Sequence, residues 1–267
     1  MKSTYIYPRQ RIQDFLSCML AFFRKIRKGL LSENKITKYL LYAFGEIILV
    51  VIGILIALQI NEWNNAKKAR EKELAYLEEI KDNLLLDSKN IDSVLQFNKT
   101  KVPVVKAMMQ MFNDTLSNND RIQIFNSNSD AFVNYAVFEP QKTAFSNMLS
   151  AETIDLIQDK ELRQALTAYY EFDYTGSVQF RIRQMNRRIV DRAFPLFFTK
   201  ENAMALLKVP TDMPPNKDLE IHKDQWLLSE FYGLIYIINL QDKGLVGFKK
   251  NIEQLLNLID ETLKSQA

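Results

Sequence analysis

The chain has 267 residues with only seven glycines and seven prolines, well below the roughly 7% and 5% usual in globular proteins, so scarce turn formers favour long helices over a sheet-rich fold. Its net charge of +3 is unevenly placed: residues 1–38 hold nine Lys/Arg against Asp14 and Glu33, a local +7 that leaves −4 for the remainder, and a nucleic-acid partner loses its electrostatic basis. One cysteine, Cys18, and one histidine, His222, leave no internal disulfide and no Cys/His metal cluster.

In chain order, residues 1–38 read as a basic cytoplasmic tail. Within it, 15–31 sets apolar positions beside Arg24, Lys25, Arg27 and Lys28, a basic amphipathic stretch suited to an anionic leaflet. Residues 39–60, YLLYAFGEIILVVIGILIALQI, would span about 33 Å as a helix, against a hydrocarbon core of about 30 Å. No small-residue cleavage site follows, so the segment reads as an uncleaved signal anchor and transmembrane helix. Arg24, Lys25, Arg27, Lys28, Lys35 and Lys38 precede it. Lys67, Lys68, Arg70 and Lys72 follow, interleaved with Glu62, Glu71 and Glu73. That bias predicts a cytoplasmic N-terminus, with Tyr39, Tyr42 and Trp63 as interfacial anchors.

Ala43, Glu46, Val50, Gly53, Ala57 and Ile60 recur at alternating spacings of three and four, which aligns them on one seam. Gly53 and Ala57 form a small-xxx-small pair that admits close helix approach, and a carboxyl such as Glu46 normally faces protein or water. The expected partners are therefore the lipid bilayer and, through this helix, a second copy or another membrane protein.

Residues 61–267 are expected to form an all-α extracytoplasmic domain, a bundle of six to eight helices. No Gly or Pro occurs from 61 to 95, and Leu74, Leu77, Ile80, Leu84, Ile91 and Leu95 suggest a core stripe. Residues 113–134, rich in Asn, Ser and Asp, read as loop with one short helix. Helices are expected over 143–149, 153–157, 160–170 and 176–193, with Pro195 breaking the last. A loop at 208–219 precedes two helices, 224–240 and 246–263, that turn around Gly244.

The run FFRKIRKGLLSENKITKYLLYAFGEIILVVIGILIALQINEWN (residues 22–64) closely resembles the opening of a Bacteroidota family of small envelope proteins, domain of unknown function 6090. AFSNMLSAETIDLIQDKELRQALTAYYE (144–171) and the two final helices are similar to it as well. The resemblance implies a single-pass inner-membrane protein with a helical periplasmic domain, and implies no activity. Members begin near FFRKIR, so Met19 is an expected start.

No catalytic, cofactor or metal constellation is found, and the chain is not read as an enzyme. GLVG at 244–247 lacks the strand a phosphate loop needs, and His222 has Leu219, not Glu, three residues before it. Carboxylate-only hydrolysis has no pair singled out. The richest polar run is RIRQMNRRIVDR (181–192). Arg181, Arg188 and Arg192 share a flank, either solvated beside local acids or open to an anionic partner. Tyr169/Tyr170, Phe197/Phe198 and Phe231/Tyr232 are expected in the core. The function read from all this is a membrane-anchored helical interaction or sensor module; a carboxylate-only envelope enzyme and an oligomerising membrane effector are the alternatives. For topology, an alkaline phosphatase fusion at Ala267 should be active and a cytoplasmic reporter there silent; the reverse pattern would overturn the assigned orientation.

Overall fold

The computed structural model describes residues 36–176, 178–197, 200, 208 and 220–264. The basic tail, its amphipathic stretch, Cys18, Phe198 and nearly all of 208–219 lie outside the described residues, as do the side chains of Tyr39 and Tyr42. The described residues hold six α-helices, three short 3-10 turns and no strand. The chain divides into two compact units, Met1–Ala69 and Arg70–Ala267.

Helix α1 (Ile36–Met109) supplies the described part of the first unit. From Leu40 to Trp63 its large apolar side chains stand exposed all round, and none of its most apolar stretch is buried. It is long and apolar enough to cross a membrane.

In the second unit α1 changes character. Glu73, Leu77, Ile80, Leu84, Asp87, Ile91, Val94, Asn98, Lys101, Val105 and Met108 are all buried. Their spacing alternates four and three without a break, the pattern of a seam between long helices. The expected stripe had Leu74 and Leu95 inside; Glu73 and Val94 occupy those places, and both leucines are half-buried. Pro103 lies within the helix but on its exposed side, where water can satisfy the carbonyl that loses its N–H.

Helix α2 (Asn118–Val133) corrects the expectation of a mainly loop-like 113–134. The signal was a capping box: Ser117 Oγ accepts from Asp120 N at 3.2 Å, and the Asp120 carboxylate accepts from Ser117 N at 3.3 Å. Polar composition hid the helix because only Arg121, Phe125 and Phe132 are fully buried. Arg121 Nε and Nη2 donate to the carbonyls of Met111 and Asn113 at 3.0 and 2.8 Å, which a helix end leaves without intrahelical donors.

Helices α3 (Thr143–Ser150) and α4 (Lys160–Glu171) fall where expected, and Asp159 Oδ1 caps α4 by accepting from Glu161 N and Leu162 N. The expected helix at 153–157 is only a 3-10 turn, Ile154–Leu156. Helix α5 (Val178–Phe197) runs past Pro195 for two residues.

Helix α6 (Gln225–Lys264) corrects a second expectation, being one helix of 40 residues where two were anticipated. Leu227, Phe231, Leu234, Ile238, Gln241, Leu245, Ile252, Leu255 and Ile259 fit a single four–three register running straight through Gly244. Each helical Gly costs about 1 kcal/mol relative to Ala, less than that continuous stripe contributes. Along α6 the ion pairs and amides meet α1 in reverse order: Lys81 with Asp260 (2.5 Å), Asp92 with Lys249 (2.6 Å), Asn98 with Gln241 (2.8 Å). The two helices are therefore antiparallel.

Two apolar cores result. One gathers Leu77–Val94 of α1, much of α3 and α4, and Leu245–Ile259 of α6. The other gathers Val105–Met111, Phe125, Phe132, α5 and Leu227–Ile238. A Cβ at Gly244 would meet open space and its φ is not positive, so Gly244→Ala should stabilise the protein by about 0.5–1 kcal/mol. Thermal unfolding of the detergent-solubilised chain reads this as a raised Tm, whereas a fall would place residue 244 in a turn.

Candidate functional site

The two cores are separated by a polar belt, and the belt exists to hold one piece of chain. Between α2 and α3, residues 134–142 adopt no regular structure, yet Ala136 is half-buried and Phe138 and Pro140 are buried on alternate positions, the period of an extended strand. With no neighbouring strand, its inward peptide groups need side-chain partners. Three helices supply them. Lys101 Nζ of α1 donates to the carbonyls of Phe132 and Asn134, the latter at 2.7 Å, and to Asn186 Oδ1 at 3.2 Å. Asn186 Nδ2 of α5 donates to Val133 O at 2.8 Å, and Gln241 Nε2 of α6 to Ala136 O at 3.2 Å. Gln179 of α5 takes both groups of Phe138, its Nε2 donating to the carbonyl at 2.7 Å and its Oε1 accepting from the N–H. Asp87 closes the row, accepting from Gln141 N at 2.8 Å and from the Tyr169 hydroxyl at 2.9 Å.

These groups carry unusual protonation energetics. Burial pushes the Asp87 carboxyl up, opposed by the hydrogen bonds from Gln141 and Tyr169. Burial also pulls the Lys101 ammonium down to about 7, although its oxygen acceptors and the face of Phe132, 4.3 Å away, favour the proton. Neither group makes a hydrolytic pair. The buried carboxylates Glu73 and Asp87 are fourteen residues apart on α1, about 21 Å, beyond the roughly 5–10 Å of two-acid catalysis. Glu73 is engaged by Arg70 and by Gln158 N at 2.9 Å. Among the described residues the buried Nδ1 of His222 has no partner, so none of their carboxylates orients it there for a triad. Among the described residues no Asp, Glu, His or Cys group is arranged to hold a metal ion.

A groove of about 590 Å³ lies between α4 and α6. Ala165 and Ala168 are among its lining residues and leave room that larger side chains would fill. Phe172 packs edge-on against Tyr174 and Phe248 at one end, and those two rings are tilted against each other, with centroids 4.7–5.0 Å apart. Glu161 and Glu261 lie towards the other end, and Asn251, Gln254 and Asn257 follow one wall. Sequence reading missed this site, since its residues are scattered over two helices whose facing only the fold establishes.

The residues singled out from sequence fall as follows. Ala43 and Glu46 are partly exposed, and Val50, Gly53 and Ala57 are exposed, with open space where a Cβ on Gly53 would sit. Exposure does not mark the seam out, because the whole Leu40–Trp63 surface shares it. Arg188 grips Glu230 at 2.8 and 3.1 Å, and Arg192 donates to Asp224 at 2.7 Å while lying over Trp226. Arg181 is exposed. These pairings favour the solvated-face reading of the arginines and leave less charge for an external anion. Tyr169, Tyr170, Phe197 and Phe231 are buried as expected, but Tyr232 is 62% exposed.

The belt predicts a pH dependence. An unfolded Lys101 titrates near 10.5 and the folded one near 7; below 7 both forms are protonated and the burial penalty is complete. Between those values the unfolded chain binds the extra proton, so stability rises with pH. The Tm of the whole chain in detergent should climb from pH 7 to 9.5, and Lys101→Met should flatten that slope; an unchanged slope would show that Lys101 keeps its proton in the core.

No curated protein and no solved structure matches the chain. Residues 46–188, more than half of it, match one family, running from the apolar helix through the belt residues of α1 and the extended segment to the middle of α5. The chain belongs to the family of unknown function DUF6090.

Proposed function

We propose that this protein is a membrane-anchored helical interaction module of the bacterial envelope. The observation that carries the reading is the exposed apolar surface from Leu40 to Trp63, on a helix that crosses into a unit with two apolar cores of its own. An exposed patch of that extent needs lipid or a partner. The basic excess before the span supports an inner-membrane protein with a cytoplasmic N-terminus and its helical unit in the periplasm. Association runs through Ala43, Glu46, Val50, Gly53 and Ala57, because small residues let backbones approach where lipid gives no hydrophobic drive.

The test uses the full chain in membranes, with Cys18→Ser and a single reporter thiol, Ala57→Cys. Oxidation should trap a defined cross-linked species. Gly53→Ile should reduce it at least fivefold by wedging the helices apart, and Glu46→Gln should act more mildly because it keeps a hydrogen-bonding group. Leu49→Ile, off the seam, should change nothing. Equal cross-linking in all four proteins would reduce the seam to a pattern and the helix to a passive anchor.

A further inference from the structure

We propose that the groove between α4 and α6 binds an extended peptide segment with basic side chains at one end and apolar side chains at the other. The proposal deepens the interaction-module reading by giving the partner's chemistry at the second unit.

Charge decides the first part. Glu161 and Glu261 line the groove and, among the described residues, no Lys or Arg does, so the lining complements a cation rather than an anion. α4 and α6 run antiparallel here, with Phe172 against Phe248 at one end and the two glutamates towards the other, so carboxylates and aromatic rings are segregated. The tyrosines are fixed in their role. The Tyr169 hydroxyl is committed to Asp87, and that of Tyr174 to the Tyr169 carbonyl at 2.9 Å. They offer the groove ring surface, not a polar tip. Phe172 keeps 46% of its surface exposed even after packing against Tyr174 and Phe248.

Length and wall decide the rest. Phe248 and Glu261 are thirteen residues apart on α6, about 20 Å, the reach of about six extended residues. A small amine would leave one end empty. Asn251, Gln254 and Asn257 along the wall each donate and accept, as a row of peptide groups requires.

The test takes the full chain in nanodiscs of zwitterionic lipid, with empty nanodiscs as blank. The probes are fluorescein-labelled hexapeptides with two lysines at one end and two phenylalanines at the other, in both chain directions, and counterparts with glutamate replacing lysine. Fluorescence anisotropy should show saturable binding of at least one lysine peptide and at least tenfold weaker binding of its glutamate counterpart. The double variant Glu161→Gln/Glu261→Gln, at exposed positions, should weaken the lysine peptide at least fivefold, and Ala168→Trp should abolish binding with unchanged circular dichroism. Glu78→Gln, on the exposed side of α1, should have no effect. Saturable binding by neither lysine peptide, equal binding of the glutamate peptides, or indifference to the double variant would overturn the proposal, as would exclusive retention of a neutral chitotetraose probe. Peptide binding is read on the second unit and cross-linking on the first, so each reading can fail without the other.

Discussion

A peptide group removed from water must find a hydrogen-bond partner, and residues 132–141 impose that demand on the second unit. Segments of this kind usually satisfy it inside a sheet or at the surface. Here the fold is helical, so the acceptors and donors come from side chains of α1, α5 and α6. Lys101, Asn186, Gln241, Gln179 and Asp87 each reach one or two groups of the same stretch of chain. An unpaired buried group costs about 1–3 kcal/mol, so losing several of these contacts would rival the whole stability of a typical domain.

The same residues fix how the helices pair. A purely apolar four–three seam can slide by a heptad with little penalty, whereas a polar residue in the seam is satisfied in one register only. Asn98 meets Gln241, and Gln241 meets Gln179 at 3.2 Å. Three helices are thereby locked at one level, between a core that ends at Val94 and Leu245 and another that begins at Val105 and Ile238. The outer ion pairs, Lys81–Asp260 and Asp92–Lys249, repeat the register in half-exposed positions where each is worth little alone. The belt also meets the groove: Tyr169 forms part of the groove's lining while its hydroxyl is held by Asp87. The aromatic surface offered to a ligand is therefore set by the constraint that anchors the extended segment.

The first unit obeys a different solvent rule. From Leu40 to Trp63 apolar residues point in every direction, an arrangement that water penalises and hydrocarbon does not. Among the described residues of the second unit, exposed apolar side chains do not encircle a helix in this way; each long helix there also buries a stripe. Contact between helices in lipid rests on close packing and polar groups, which is why Gly53 and Glu46 matter to the proposed association, while the far greater apolar area around them does not.

What the sequence by itself determined follows from local periodicity and composition. The apolar run at 39–60, the helical class, the helices at 143–150 and 160–171 and the stripe through Leu77, Ile80, Leu84 and Ile91 are all written in spacings along a single element. The capping box at Ser117–Asp120 was equally local and shows that α2 was legible too. Only the tertiary structure decided that Gly244 lies within a helix, because the preference of one glycine is small beside an apolar stripe that finds its partner on α1. It alone decided that Glu73, Asp87, Asn98 and Lys101 face inward. A polar side chain is placed inside only when its hydrogen-bond partners are there to meet it, and those partners lie as many as 144 residues away along the chain.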